Sequence, residues 1–323
     1  MSVRTFGNNI PTIATGGQEP MNFHTFTSPA TDFEHSSADQ NYPHTQRRLL
    51  RQPQCTPWVW CGLQREYAFP VTHVGRVAPS IVSVSDNLSP TRLGLLVLDS
   101  IDIPHRSIAG DYEQLFRDIF KKVGAEIIPF DARHDALPAH DECTGWVIPG
   151  SRQSVSDGDS WISELRSWIS TALASGTPLA GVCFGHQLIA AEMGAEVGRA
   201  SDGWNIGVID YEVTGSRSWL EMPNRYSLLA SHQDQVLTLP REAELLATAP
   251  TCPVGAYTVG NNVMCIQGHI EFVPELAASL YRSRIERIGS SAVDAALGSL
   301  ERPLDRVEVA RWLLQTIEQS SVA

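Results

Sequence analysis

The sequence contains no apolar run approaching membrane-spanning length, and its first residues lack the basic-then-apolar order of a secretory leader. Neither a membrane span nor an export signal is expected. Basic charge is scarce: 24 Lys and Arg stand against 36 Asp and Glu, leaving a net charge of -12. The densest basic stretch is Gln46-Arg47-Arg48 with Arg51 nearby, too little for general binding to nucleic acid or an anionic membrane. The six cysteines, at 55, 61, 143, 183, 252 and 265, never fall in C-x-x-C spacing. That removes the usual zinc and disulfide frameworks, so no metal or other cofactor is expected and a reducing, cytoplasmic setting fits. There is no internal repeat.

What is present is an ordinary globular composition, 42% hydrophobic and 19% charged over 323 residues, enough for one large domain or one domain with an appendage. Residues 1–90 stand apart. They are rich in Pro, Ser, Thr, Asn, Gln and His with little periodicity, which predicts a poorly structured extension. The same texture would arise from a start placed too far upstream. Trp58, Trp60, Tyr67 and Phe69 are the exception, a set able to dock on a folded neighbour; histidines 24, 35, 44 and 73 are too irregularly spaced for a metal site.

From Leu93 the texture changes. Leu93-Gly-Leu-Leu-Val-Leu98 is a continuous apolar run, the pattern of a strand buried on both faces. Asp111 is placed to cap a helix whose stripe is Tyr112, Leu115, Phe116, Ile119 and Val123, ended by Gly124. Strands are predicted at 126–130 and 146–148, a helix at 161–173 stopped near Gly176, and a strand at 179–183. This alternation builds an α/β domain with a parallel sheet covered by helices. After Gly203 the pattern is strand-rich, at 205–213, 226–230, 244–247, 253–259 and 262–267, and helices at 274–288 and 305–317 close the chain.

The centre of the chain is Thr177 to Gly194, TPLAGVCFGHQLIAAEMG. A short apolar run ends at Cys183, and helical spacing begins directly after it. A cysteine at such a strand–turn–helix elbow takes a strained backbone, and its neighbours must be small for strand and helix to pack closely. The helix start directs free N–H groups and a positive dipole end at the sulfur, favouring thiolate and holding a developing oxyanion.

Downstream, Gly268-His269-Ile270-Glu271 follows an apolar strand. Residues two apart on extended chain face the same way, so Glu271 can hold one nitrogen of His269 while the other faces Cys183. Pro149-Gly150-Ser151 leaves another buried strand at its carboxyl end, where α/β sheets bind ligands, and Gly150 lets the backbone turn its N–H groups inward. Ser231-His232-Gln233-Asp234-Gln235 is a dense polar cluster, read either as a binder of a polar substrate head or as a solvated turn.

Gly181-Val-Cys-Phe-Gly-His-Gln187, His269 with Glu271, and Pro149-Gly150-Ser151 together resemble the class I glutamine amidotransferase domain. Residues 149–157, 231–236 and 267–272 are similar more narrowly to stand-alone proteins related to the amidotransferase part of GMP synthase. The likeness covers about residues 93–290. It implies a flavodoxin-like α/β sandwich, three layers deep with a mostly parallel central sheet, over 91–290, with 291–323 as a helical segment packed on it. It also implies a Cys183–His269–Glu271 triad, an oxyanion hole from the Gly150 region and the Phe184 N–H with Ser151 beside it, and contacts from Gln187, Ser231, His232, Gln233 and Asp234 to the glutamyl part of the substrate. Ile270 departs from the proline usual in the family.

The implied chemistry is attack of Cys183 on a γ-carboxamide, giving a γ-glutamyl thioester that water hydrolyses. Glutamine hydrolysis would release ammonia to a separate synthetase, because the chain has neither an S-G-G-x-D-S loop nor a Walker A motif. A γ-glutamyl peptide or amide hydrolase would need no partner. A non-catalytic binding module is the third reading, which an intact Cys, His and Glu set disfavours.

Overall fold

A computed structural model describes residues 90–320. The expectations for the N-terminal extension, including docking by Trp58, Trp60, Tyr67 and Phe69, lie outside the described residues. In chain order the elements are β1 (Thr91–Val97), α1 (Ile103–Ala109), α2 (Tyr112–Lys121), β2 (Ala125–Asp131), β3 (Gly145–Ile148), α3 (Ser160–Ser175), β4 (Leu179–Val182) and α4 (Phe184–Glu192). They continue as β5 (Val197–Arg199), β6 (Asn205–Val213), β7 (Arg225–His232), β8 (Asp234–Val236), β9 (Ala243–Ala249), β10 (Cys252–Val259) and β11 (Val263–Ile266). Helices α5 (Pro274–Ser283), α6 (Ile285–Ile288), α7 (Ser290–Ser299) and α8 (Arg306–Gln319) complete the order.

The main sheet has nine strands in the order β2-β1-β3-β4-β11-β10-β9-β6-β7, beside a two-stranded sheet of β5 and β8. From β2 to β11 the pairings are parallel; from β11 to β7 they are antiparallel. The central strands β3, β4 and β11 are buried at every residue, which is why each reads as an unbroken apolar run. Pro129 falls in the edge strand β2, where its missing N–H breaks no ladder.

Helices cover both faces. On one side, Phe116 and Phe120 of α2 pack with Val309, Trp312, Leu313 and Ile317 of α8 against Leu93, Val147 and Ile266. On the other, Trp161, Leu165 and Ile169 of α3 and Leu188 and Ile189 of α4 cover Leu96, Trp146 and Ile148. A third cluster joins Leu276 and Tyr281 of α5 and Val293 of α7 to Val208 and Leu229 of the antiparallel strands. The result is the expected flavodoxin-like three-layer sandwich, its sheet extended by antiparallel strands. Among the described residues no helix is long and apolar enough to cross a membrane.

Several boundaries differ from the sequence reading. The helix predicted over 274–288 divides at Arg284, which leaves the helical region (φ -110°, ψ 13°) and separates α5 from α6. The strand predicted at 226–230 runs on to His232, so Ser231 and His232 are strand residues and Asp234 opens β8; the solvated-turn reading of this segment is corrected. Strand β11 stops at Ile266, and His269 lies beyond it in an isolated bridge to Leu229.

Candidate active site

Because β1, β3, β4 and β11 are parallel, their carboxyl ends open on one edge of the sheet. Asp99, Gly150, Cys183 and His269 follow those four ends. This is the crevice where open α/β sheets hold ligands.

Cys183 joins β4 to α4 with φ 53° and ψ -101°, the one non-glycine residue of positive φ among the described residues. Such a conformation costs about 1–3 kcal/mol and persists only where the surroundings over-determine it. Here they do. The Cys183 N–H donates to Ile266 O at 2.9 Å, and its carbonyl accepts from Gln187 N at 3.0 Å. Gly185 N–H donates to Pro149 O at 3.1 Å, and a Cβ on Gly185 would lie 2.0 Å from Ile148 O. The first turn of α4 is thus pressed against the end of β3 in a way only glycine permits. Phe184 opens the helix; its ring is buried 5.8 Å from that of Trp161, so only its main chain is available for the expected oxyanion contact. Among the described residues the N–H groups of Phe184 and Gly150 have no acceptor.

His269 is anchored by its own N–H, which donates to Leu229 O at 2.8 Å, and its ring stacks on Phe272 at 4.1 Å. Nδ1–H donates to Glu271 Oε1 at 2.6 Å, both side chains being buried. Burial alone would lower the pKa of His269, but the negative charges of Glu271 and Cys183 outweigh it and push it up to about 10. Nε2 is buried and has no hydrogen-bond partner among the described residues. A Cβ added to Gly150 would lie 3.0 Å from His269 Cε1 and 3.7 Å from Cys183 Cβ, so cysteine and imidazole flank one point that a side chain at 150 would invade.

A cavity of about 550 Å³ opens over these groups, lined by Cys183, His269, Ser151, Gln187 and the 231–234 segment. Gln187 braces that segment, its Nε2 donating to Asp234 O at 2.7 Å and to Gln267 Oε1 at 3.1 Å. His232 is held neutral by burial, which pushes its pKa down to about 3, and its Nδ1 contacts Asp234 O at 3.1 Å. Ser231 Oγ accepts from Arg284 at 3.1 Å, while Gln233 and Asp234 both meet Arg199. Ser151 Oγ turns to Gln153 Oε1 at 2.9 Å. Every residue nominated from the sequence is therefore gathered at this one edge of the sheet.

Others were not nominated. Asp99 is buried and binds Arg152 twice, accepting from its N–H and from its Nε, each at 2.9 Å, which fixes the loop carrying Gly150 and Ser151. The signal was a carboxylate directly after the apolar run of β1. Arg306, at the start of α8, donates to the carbonyls of Ile270 at 2.6 Å and Glu271 at 2.8 Å. Nothing local in the sequence relates it to His269, 37 positions earlier in the chain. Among the described residues no group of three or more His, Cys, Asp or Glu is arranged to hold a metal ion.

The family model for glutamine amidotransferase class-I matches residues 110–285. Gamma-glutamyl peptidase 5 of Arabidopsis thaliana is 34% identical over 176 residues, spanning 52% of this chain and 70% of that protein. Gamma-glutamyl peptidase 3 of the same plant is 30% identical over 177 residues, spanning 52% and 71%. The glutamine-hydrolyzing GMP synthase of Aeropyrum pernix is 33% identical over 183 residues, which is 54% of this chain but 33% of that protein. A glutamine amidotransferase crystal structure from Thermotoga maritima superposes with a TM-score of 0.57 at 21% identity, covering 72% of this chain and 99% of that one. The chain belongs to the class I glutamine amidotransferase family.

Proposed function

We propose that this protein hydrolyses the C–N bond of a γ-glutamyl amide, with Cys183 as nucleophile, His269 as general acid and base, and Glu271 orienting the imidazole. The observation that supports this reading most is the strained backbone of Cys183 at the start of α4, beside a buried His269–Glu271 pair. The thiolate attacks the amide carbon, and the oxyanion is received by the N–H groups of Phe184 and the Gly150 turn. The intermediate collapses as imidazolium passes its proton to the departing amine, leaving a γ-glutamyl thioester and neutral His269. Neutral imidazole then deprotonates water as it attacks the thioester, and glutamate leaves with thiolate and imidazolium restored.

With glutamine the departing amine is ammonia, which a separate synthetase would consume. A second reading, hydrolysis of γ-glutamyl peptides, is favoured by the cavity, whose volume of about 550 Å³ lies in the range that ligands much larger than a free amino acid fill. The relatives named above as gamma-glutamyl peptidases point the same way. The test is mass spectrometry of protein mixed with glutamine or with a γ-glutamyl dipeptide, with Cys183→Ala as control. A γ-glutamyl adduct on Cys183 with either compound is expected. No adduct and no release of amine from either, matched by Cys183→Ala, would sink the proposal.

A further inference from the structure

Four arginines line the cavity, Arg152, Arg199, Arg284 and Arg287, and two are neutralised in place. Arg152 pairs with Asp99 and Asp102, and Arg199 with Asp234. Arg284 and Arg287 have no carboxylate within ion-pair distance among the described residues. Among the described residues, these two guanidinium groups therefore leave a positive charge on the cavity wall that no carboxylate there neutralises.

The backbone sets them side by side. The helix breaks at Arg284, and Arg287 N–H donates to Arg284 O at 2.9 Å, so the two stand three residues apart on one turn. Arg284 donates one Nη1–H to Ser231 Oγ at 3.1 Å, which uses part of its donor fork and aims the rest along the wall built by Ser231. The Arg287 guanidinium lies over the Trp204 ring, 5.1 Å from its centre, which holds an exposed side chain in one orientation. Their proximity is felt: the Arg284 pKa is lowered, first by burial and then by Arg287 and Arg152, with Tyr112 acting in the opposite direction. Two fixed cations in a half-open wall are an anion receptor. Depth says which anion. Cys183 and His269 are buried at the floor, Arg284 is half-buried and Arg287 is exposed at the mouth. In the proposed reaction a γ-glutamyl group on buried Cys183 would send its departing amine component toward the exposed side of the cavity, where Arg287 stands.

We infer that Arg284 and Arg287 form an anion subsite for the carboxylate of the leaving amino acid or peptide, and so select γ-glutamyl peptides over glutamine. This rests on the hydrolase reading above and deepens it. The experiment compares γ-glutamylglycine with γ-glutamylglycinamide, which differ only in that carboxylate. Steady-state kinetics of the full-length protein should favour γ-glutamylglycine about tenfold or more in kcat/KM, through KM. That ratio should collapse toward one in Arg287→Gln and in Arg284→Gln, and be partly restored in Arg287→Lys. Arg287 is exposed, so its variants keep the test open if Arg284→Gln unfolds, which thermal denaturation reports. A wild-type ratio near one, or a ratio that Arg287→Gln leaves intact, overturns the subsite. Equal losses on both substrates would assign the arginines to the glutamyl carboxylate and also overturn it. Cleavage of neither substrate by the wild type, with no thioester on Cys183, overturns the hydrolase reading and this one with it; cleavage without preference overturns this one alone.

Discussion

At the scale of single residues, the site depends on a charge that burial opposes. His269 is pushed up to about 10 because Glu271 and Cys183 face it where water does not reach. A folded-state pKa above the ordinary 6.5 makes protonated His269 stabilising at neutral pH. That contribution is complete below about pH 6.5 and is lost as pH rises through about 10. Glu271→Gln removes the carboxylate, so its stability deficit against wild type, read from urea midpoints, should be largest near neutrality and narrow toward alkaline pH. The same variant should lower kcat by roughly 10²–10⁴-fold, as expected when a catalytic imidazole loses the group that fixes its tautomer. A pH profile of kcat unchanged by Glu271→Gln would contradict the role. Gly150 gives a second test. Alanine there would place Cβ 3.0 Å from His269 Cε1, so the ring must shift. Gly150→Ala should keep its circular dichroism yet lose about tenfold in kcat, since a shift of the imidazole well short of the ~1 Å that costs about 10²-fold still spoils the reacting geometry.

At the scale of elements, the elbow and α8 carry the site between them. Gly185→Ala would drive a Cβ to 2.0 Å from Ile148 O, a backbone atom that cannot yield, so β3 and α4 must part. We expect a loss of about 1–3 kcal/mol in urea unfolding together with loss of activity. Helix α8 acts through Arg306, whose two bonds to the carbonyls of Ile270 and Glu271 fix the loop that aims His269. Arg306→Met should lower kcat about tenfold or more with KM little changed, and Arg306→Lys should restore part of it. Elements with a strong apolar face were legible in the sequence: α2, with Asp111 capping and Leu115, Phe116 and Ile119 buried, is where the spacing put it. Helix α1 was not, because none of its residues is buried and no stripe marks it. The short strands β5 and β8 pair with each other and carry too few residues to show a period.

At the scale of the whole molecule, the parallel half of the sheet was legible because strands buried on both faces leave continuous apolar runs. The elbow at Cys183 and the His269–Glu271 pair were legible because a cysteine between strand and helix and a histidine two residues before a carboxylate are local patterns. Asp99, Arg284 and Arg306 were not, since each acts across the fold on a segment distant in sequence. Helix α8 shows the same limit. Its Val309, Ala310, Trp312, Leu313 and Ile317 are buried in the core with Phe116, Phe120 and Tyr226, so it forms part of a layer. A chain ended after Leu300 should therefore expose that face, bind a hydrophobic dye strongly and lose its cooperative thermal transition. A truncated protein that melts sharply and stays active would refute this.

The change of strand direction at β11 has one more consequence. Cys183, His269 and the Gly150 turn leave parallel strands, whereas Ser231, His232 and Asp234 belong to β7 and β8, Arg284 to the break between α5 and α6, and Arg287 to α6. On the proposed function, the bond-breaking groups and the groups that would hold the rest of the substrate thus come from separately encoded parts of the chain. If that reading holds, drift in the second part would redirect the protein to a new substrate while the first is inherited intact, which would make this architecture a ready starting point for divergence.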